Sequence, residues 1–230
     1  MKTIGLIGGM SWESSAQYYA IINRAVRDRL GAPHSAKVLM DSVDFGEIER
    51  LQHAGEWDAL GDMMADSASR LAAGGAELAL LCTNTMHKLV GRITAASGLP
   101  FLHIVDPTGE AIRAQGIARV GLLGTAFTME QDFYRGRLES EHGLEVLVPA
   151  AEDRATVHRV IYNELVAGIV TETSRAAYRE VIARLVERGA QGVILGCTEI
   201  MLLVREEDSA VPLFDTTQLH ALAAVEQALA

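Results

Sequence analysis

The chain repeats itself, and the repeat limits what it can fold into. Residues 74–85 read GGAELALLCTNT, and residues 188–199 read RGAQGVILGCTE. Aligning Ala76 with Ala190 sets Thr83 opposite Cys197 and Asn84 opposite Thr198. The turn Gly8-Gly9-Met10-Ser11 then matches Gly124-Thr125-Ala126-Phe127, and Pro100 matches Pro212. The intervals Gly8 to Thr83 and Gly124 to Cys197 differ by only two residues.

Each copy alternates short apolar runs with longer amphipathic stretches. Strands are predicted over 3–7, 37–43, 77–81 and 99–104, and again over 119–123, 144–148, 191–195 and 211–214. Helices are predicted over Glu13–Leu30 and over Trp57–Ala73, the second stopping at Gly74-Gly75. Continuous apolar strands separated by helices imply parallel βαβ units buried on both faces. Such sheets bind ligands outside the carboxyl ends of their strands. The expected fold is α/β, with two similar flavodoxin-like subdomains carrying parallel sheets and related by a pseudo-twofold. The active site is expected in the cleft between them. The first subdomain should comprise 1–104 plus about 212–230, and the second 105–211, with the crossover near Ile104–Ile117.

Composition supports a folded chain and excludes several partners. Apolar residues make up 49% of the 230, enough for a sizeable core. The net charge of −10 disfavours nucleic acid and anionic membranes, which need basic patches. No apolar run approaches the roughly 20 residues of a membrane span. Gly8-Gly9 and Trp12-Glu13 interrupt the first apolar run too early for a secretory signal, so the expected location is cytoplasmic.

Two cysteines, Cys82 and Cys197, argue against a disulfide framework. Cys197 follows an apolar strand and precedes Thr198-Glu199. A helix opening there would stabilise a thiolate and lower the thiol pKa below about 8.5. Alternation along a strand places Thr83 and Cys82 on opposite faces. If Thr83 faces the ligand as Cys197 does, Cys82 faces the core. Cys82 can serve as a base only if the strand end bulges.

Several other chemistries lack their residues. GLIGGM is not the dinucleotide fingerprint, and no P-loop occurs. Pyridoxal phosphate needs a Schiff-base lysine. Of Lys2, Lys37 and Lys88, only Lys88 lies near a motif. His87, His103 and the cysteines contain no close-spaced metal-ligand pair. A Cys–His hydrolase would need His87, His103 or His220 beside Cys197, without a local signature to support it.

The duplicated halves, together with GGMSWES (8–14), TNTMHK (83–88) and GCTEI (196–200), resemble the aspartate/glutamate racemase superfamily over essentially the whole chain. The resemblance is closest to its bacterial broad-specificity and L-aspartate/glutamate-specific amino-acid racemases. It implies a cofactor-independent, metal-free reaction on a small amino acid. One catalytic group removes the α-proton, and a second returns a proton to the opposite face. It also implies a homodimer, with neither nucleic acid nor membrane as partner.

The family's usual first motif is Cys-Asn-Thr and its second Cys-Thr-Glu. Here the second is intact as Cys197-Thr198-Glu199, whereas the first reads Thr83-Asn84-Thr85. Thr83 and Cys197 are therefore the implied catalytic pair, with Cys197 the stronger base. Met10 and its turn, Gln52 from the loop after the second strand, Asn84, Thr85, Thr125, Thr198 and Glu199 would hold the substrate. Aspartate-type members carry a lysine in a segment like Glu-Leu-Lys-x-Gly. This chain has Glu164-Leu165-Val166-Ala167-Gly168, so strict acidic specificity is not expected, and neutral polar substrates such as homoserine come into range. Other reactions open to a one-cysteine member are malonate-type decarboxylation and cis–trans dicarboxylate isomerisation. A catalytically silent amino-acid-binding protein is the reading from a different class.

Overall fold

The computed structural model describes residues 1–230. The chain divides into two compact units, Met1–Ile104 with His220–Ala230, and Val105–Leu219. Each carries its own parallel sheet.

In the first unit the order is β1 (Ile4–Gly8), α1 (Trp12–Leu30), β2 (Val38–Ser42), α2 (Phe45–Ala54), α3 (Trp57–Ala73), β3 (Leu78–Leu81), a 3-10 turn (Thr85–Leu89) and α4 (Val90–Ser97). The strand order is β2-β1-β3. β1 is buried at every position, as a central parallel strand requires, and β3 beside it is buried throughout as well. Alternation sorts their side chains into two layers. Ile4, Leu6, Leu78, Leu80 and Cys82 pack with Tyr18, Ile22 and Val26 of α1. Ile7 and Leu81 pack on the other side with Ile48, Leu51, Leu60, Met64 and Met86.

The second unit runs α5 (Val105–Ala114), β4 (Arg119–Gly124), α6 (Ala126–Glu130), α7 (Asp132–His142), β5 (Glu145–Leu147), α8 (Ala151–Asn163), a 3-10 turn (Leu165–Ala167), α9 (Glu172–Glu187), β6 (Val193–Gly196), α10 (Ile200–Leu203), a 3-10 turn (Glu206–Asp208) and β7 (Leu213–Asp215). Its strand order, β5-β4-β6-β7, repeats the first sheet with one strand added. Val120, Leu122, Val193 and Ile194 are fully buried, and Leu185 of α9 closes over Gly121, where a Cβ would stand 2.9 Å from Leu185 Cδ1.

Three expectations are corrected here. Residues 99–104 form no strand but a single bridge, Ala79 with Phe101. The Pro100 carbonyl accepts from Ala79 N–H, yet Pro100 has no N–H of its own to extend the ladder. Gln52 lies on helix α2 rather than in a loop. Asp44 caps that helix by accepting from Gly46 N–H at 3.0 Å, and Gly55 ends it in the left-handed region at φ 75°. Third, β7 pairs with β6, so residues 212–219 remain with the second sheet, and the chain rejoins the first unit at His220.

The last helix, α11 (Thr216–Leu229), supplies Ala221, Ala224, Val225 and Ala228 to the layer under α1. Small side chains let the helix lie close. Lys2 N–H donates to Ala228 O at 2.8 Å, and Arg29 pairs with Glu226. Ala224→Leu should overpack this layer and destabilise the protein by about 1–3 kcal/mol in urea unfolding. An unchanged midpoint would mean that the helix is not part of the core.

Candidate active site

The sequence-derived candidates gather at the carboxyl ends of strands in both units. In the first, β1 ends in a turn that only glycine permits. Gly9 has φ +93°, and a Cβ there would lie 2.2 Å from Val43 O. Gly9 N–H donates to Ser15 Oγ at 2.8 Å, and Ser11 Oγ accepts from Ser14 N–H to cap α1. The Gly9 amide is thus engaged inside the turn. The Met10 side chain is buried with Ile7, Leu51 and Met86, leaving its main chain as the group that can meet a ligand.

At the end of β3, Cys82 N–H makes the last ladder bond, to Ile7 O at 2.9 Å. The Cys82 side chain is wholly inside the core, and burial pushes its thiol pKa far up. Ser14 Oγ donates to Cys82 O at 3.3 Å. Thr83, Asn84 and Thr85 follow, all buried, with Thr83 the most exposed of the three at 9%. Gln52 reaches the same turn, its Nε2 donating to Met86 Sδ at 3.2 Å. Sulfur is a weak acceptor, so this contact is a soft one.

In the second unit, Gly124 and Gly196 face each other at the ends of β4 and β6. A Cβ on Gly124 would sit 2.8 Å from Gly196 O, and one on Gly196 would sit 2.7 Å from Leu123 O. This close approach carries the chain directly into Thr125 and Cys197. Thr125 caps α6, its Oγ1 accepting from Thr128 N–H at 3.3 Å. Ala126 N–H donates to His158 Nδ1 at 3.2 Å, so that imidazole carries its proton on Nε2. His158 packs on Tyr162 with ring centroids 4.7 Å apart, and Phe127 lies beyond at 6.3 Å. No sequence motif pointed to His158 or Tyr162; their four-residue spacing on α8 was the available signal.

Cys197 is half-buried. Its Sγ donates to Glu199 Oε2 at 2.9 Å, and Thr198 Oγ1 donates to the same oxygen at 3.0 Å. Glu199 is only 3% exposed. Here the structure reverses the expected pKa. Burial first, then the Glu199 carboxylate, push the Cys197 thiol well above its ordinary value. The helix expected to lower it, α10, is only four residues long and starts at Ile200. Tyr178 of α9 is buried nearby, donating to Val157 O at 3.1 Å, and the charge of a Cys197 thiolate would raise its pKa further.

Val166 is half-buried in the 3-10 turn that packs against α10. Arg175 approaches the far end of α10, but its guanidinium is held by Leu203 O at 2.8 Å and Glu172 at 3.0 Å. Lys88, the one lysine near a motif, is exposed and lies 4.0 Å over the Trp57 ring. No group of three or more His, Cys, Asp or Glu is arranged to hold a metal ion. His87, His103 and His220 do not sit singly; they gather in the first unit. No helix is long and apolar enough to cross a membrane.

Similarity to known proteins agrees with this layout. A structure from Yersinia pestis described as an Asp/Glu racemase superposes with TM-score 0.92 at 55% identity, covering all of both chains. An aspartate racemase homologue from Pyrococcus horikoshii gives TM-score 0.86 at 33% identity, again over all of both chains. At 19% identity, the aspartate racemase of Picrophilus torridus shares the fold, with TM-score 0.76 over 99% of this chain and 94% of that one. The model of the Asp/Glu/hydantoin racemase family matches residues 7–224, and the chain belongs to that family.

Proposed function

We propose that the protein is an amino-acid racemase working without cofactor, with Cys197 as base on one face of the α-carbon and Thr83 as proton donor on the other. The observation that carries this reading is the 2.9 Å contact between Cys197 Sγ and Glu199 Oε2. A protonated thiol is no base, and its proton needs a destination. Glu199 is that destination. The S–H proton moves to the carboxylate, giving thiolate and carboxylic acid with the pair's net charge unchanged.

The thiolate then takes the α-proton of the L-amino acid. A proton returned from the Thr83 hydroxyl to the opposite face gives the D-enantiomer, water reprotonates the Thr83 oxygen, and the hydroxide left takes the proton of Glu199, restoring the thiol and the carboxylate. A threonine hydroxyl ionises too reluctantly to be a strong base, but it can protonate a strongly basic carbanion. Developing negative charge on the substrate carboxylate calls for preorganised donors. Asn84, Thr85, Thr125 and Thr198 provide amide and hydroxyl groups for it, with Gln52 and the Met10 main chain completing the set.

The absence of a lysine at Val166 bears on substrate choice. A carboxylate side chain buried without a cation is costly. Neutral and polar amino acids should therefore be turned over, alongside or ahead of aspartate and glutamate. Chiral chromatography on a panel of L- and D-amino acids tests this. Turnover confined to aspartate and glutamate would contradict it, and Val166→Lys should move the preference toward those two.

The Cys197–Glu199 pair has a signed pH signature. A raised thiol pKa keeps solvent from taking the proton at neutral pH, leaving transfer to Glu199 as the source of thiolate there, and turnover should climb further as pH rises into the alkaline and solvent takes the proton as well. In a Cys82→Ala background, alkylation of Cys197 by iodoacetamide should have its midpoint above the free-cysteine value of about 8.5. Glu199→Gln removes a negative neighbour, so the midpoint should fall. Turnover should nonetheless drop by about 10²-fold or more, because the proton acceptor is gone. A midpoint that rises, or turnover that survives, removes Glu199 from this role.

Cys197→Ser should abolish turnover of both enantiomers. In D2O a racemase exchanges the α-proton of its amino acid. Protein that binds amino acids without exchanging it, or that decarboxylates a malonate without exchanging it, would replace this reading with one of its rivals.

A further inference from the structure

Where β3 stops, its peptide groups pass from sheet partners to side chains. The Cys82 carbonyl goes to Ser14, and the next carbonyl, that of Thr83, receives His87 Nδ1 at 2.7 Å. The other ring nitrogen, His87 Nε2, lies 3.2 Å from Ile104 N. A backbone N–H can only donate, so Nε2 must be the acceptor and the ring proton must reside on Nδ1. The imidazole is therefore a neutral bridge from the end of the His103-Ile104 segment to the Thr83 peptide.

We propose that His87 is the positioning residue for Thr83, fixing its peptide plane so that the hydroxyl is held where it can protonate the substrate. The inference rests on Thr83 being the proton donor. Its support is the packing around the ring. His87 is 3% exposed and stands 4.6 Å from His103 and 5.8 Å from His220, centroid to centroid. His220 Nε2 donates to Leu102 O at 2.9 Å, which leaves its Nδ1 to accept from Tyr18 O–H at 2.8 Å. Phe101 meets the His87 ring edge-on at 5.7 Å. A charged His87 would have no carboxylate here, only two more imidazoles. Burial and those two neighbours hold its pKa well below the ordinary histidine value, so both bonds persist at neutral pH.

The second unit lacks this device. Met201 stands at the position matching His87, and the Cys197 carbonyl is bonded instead by the backbone amide of Ile200 at 3.1 Å. The pin is thus specific to the Thr83 side. Its loss should disturb proton delivery by Thr83 and leave proton removal by Cys197 alone.

That asymmetry provides the test. L-Homoserine and L-aspartate are incubated in D2O, with α-proton loss followed by NMR and D-enantiomer formation by chiral chromatography. Proton removal and return by Cys197 alone yields deuterated L-substrate, whereas inversion needs Thr83. His87→Phe keeps an aromatic ring but makes neither hydrogen bond. It should lower inversion by about tenfold or more, since a misplacement of about 1 Å can cost about 10²-fold. Exchange into the L-substrate should stay near wild type. His87→Gln can donate to Thr83 O and accept from Ile104 N–H, and should restore the ratio of inversion to exchange. If His87→Phe does not fold, His87→Met fills the site without a donor and serves the same comparison. Parallel loss of exchange and inversion, or an unchanged ratio, would overturn the proposal. Thr83→Ala separates the two layers of the argument. If it leaves inversion intact, Thr83 is not the donor and His87 falls with it. If it abolishes inversion while His87→Phe keeps the ratio, only the role of His87 fails.

Discussion

A parallel β-ladder must end somewhere, and its last peptide groups are buried at the end where α/β proteins bind ligands. Unmet, each would cost about 1–3 kcal/mol. The candidate site is built from the solutions to this problem. Ser14 and His87 take the carbonyls of Cys82 and Thr83, His158 takes the amide of Ala126, and Thr216 Oγ1 donates to Leu195 O at 2.9 Å. These side chains come from helices packed on the sheets and from the turn after β3. The helical packing therefore fixes the strand ends, and the strand ends fix Thr83, Thr125 and Cys197.

Duplication supplies the same end twice, and divergence makes the two copies chemically unequal. Thr83-Asn84-Thr85 faces Cys197-Thr198-Glu199 in the alignment. The second copy sets its Cys197 thiol 2.9 Å from the buried Glu199 carboxylate. The copy that has a hydroxyl has Thr85 in the carboxylate's place and a histidine that holds the backbone. Each cluster fits the role proposed for it: a base needs a proton acceptor, whereas a weak acid needs only correct placement. A carboxylate beside Thr83 would have no acidic partner to serve, and burying it would cost stability.

The features legible in the sequence were those carried by local pattern. β1, β3, β4 and β6 are short apolar runs after glycine-rich or charged breaks, and alternation alone put Cys82 with Leu78 and Leu80 in the core. α2 was missed, with Gln52 read as part of a loop, although Asp44 three residues before Glu47 and Gly55 mark its two ends. The strand over 99–104 failed because an apolar run says nothing about where the ladder runs out of donors. The thiol pKa was misjudged for a different reason. The sequence places Glu199 two residues from Cys197, but not whether its oxygen lies 2.9 Å from the sulfur or in water. The histidine cluster draws on residues 87, 103 and 220, and no spacing rule joins positions so far apart.

The strand end itself keeps the nearby Cys82 from standing in for the missing first-half thiol. Side chains on a strand have a period of two, so moving Cys82 to the ligand face requires a one-residue slip that would turn every neighbour over. Leu78 and Leu80 would leave the layer they share with Tyr18 and Val225, and Ala79 and Leu81 would enter it. A bulge confined to the end is resisted as well, because Cys82 is tied through its amide to Ile7 and through its carbonyl to Ser14. A thiol buried there is also held protonated by desolvation, with no acceptor such as Glu199 to take its proton. Cys82 is therefore a core residue by packing, by backbone pairing and by acidity together. The asymmetry of one thiol and one hydroxyl is imposed by the same alternation that builds the sheet.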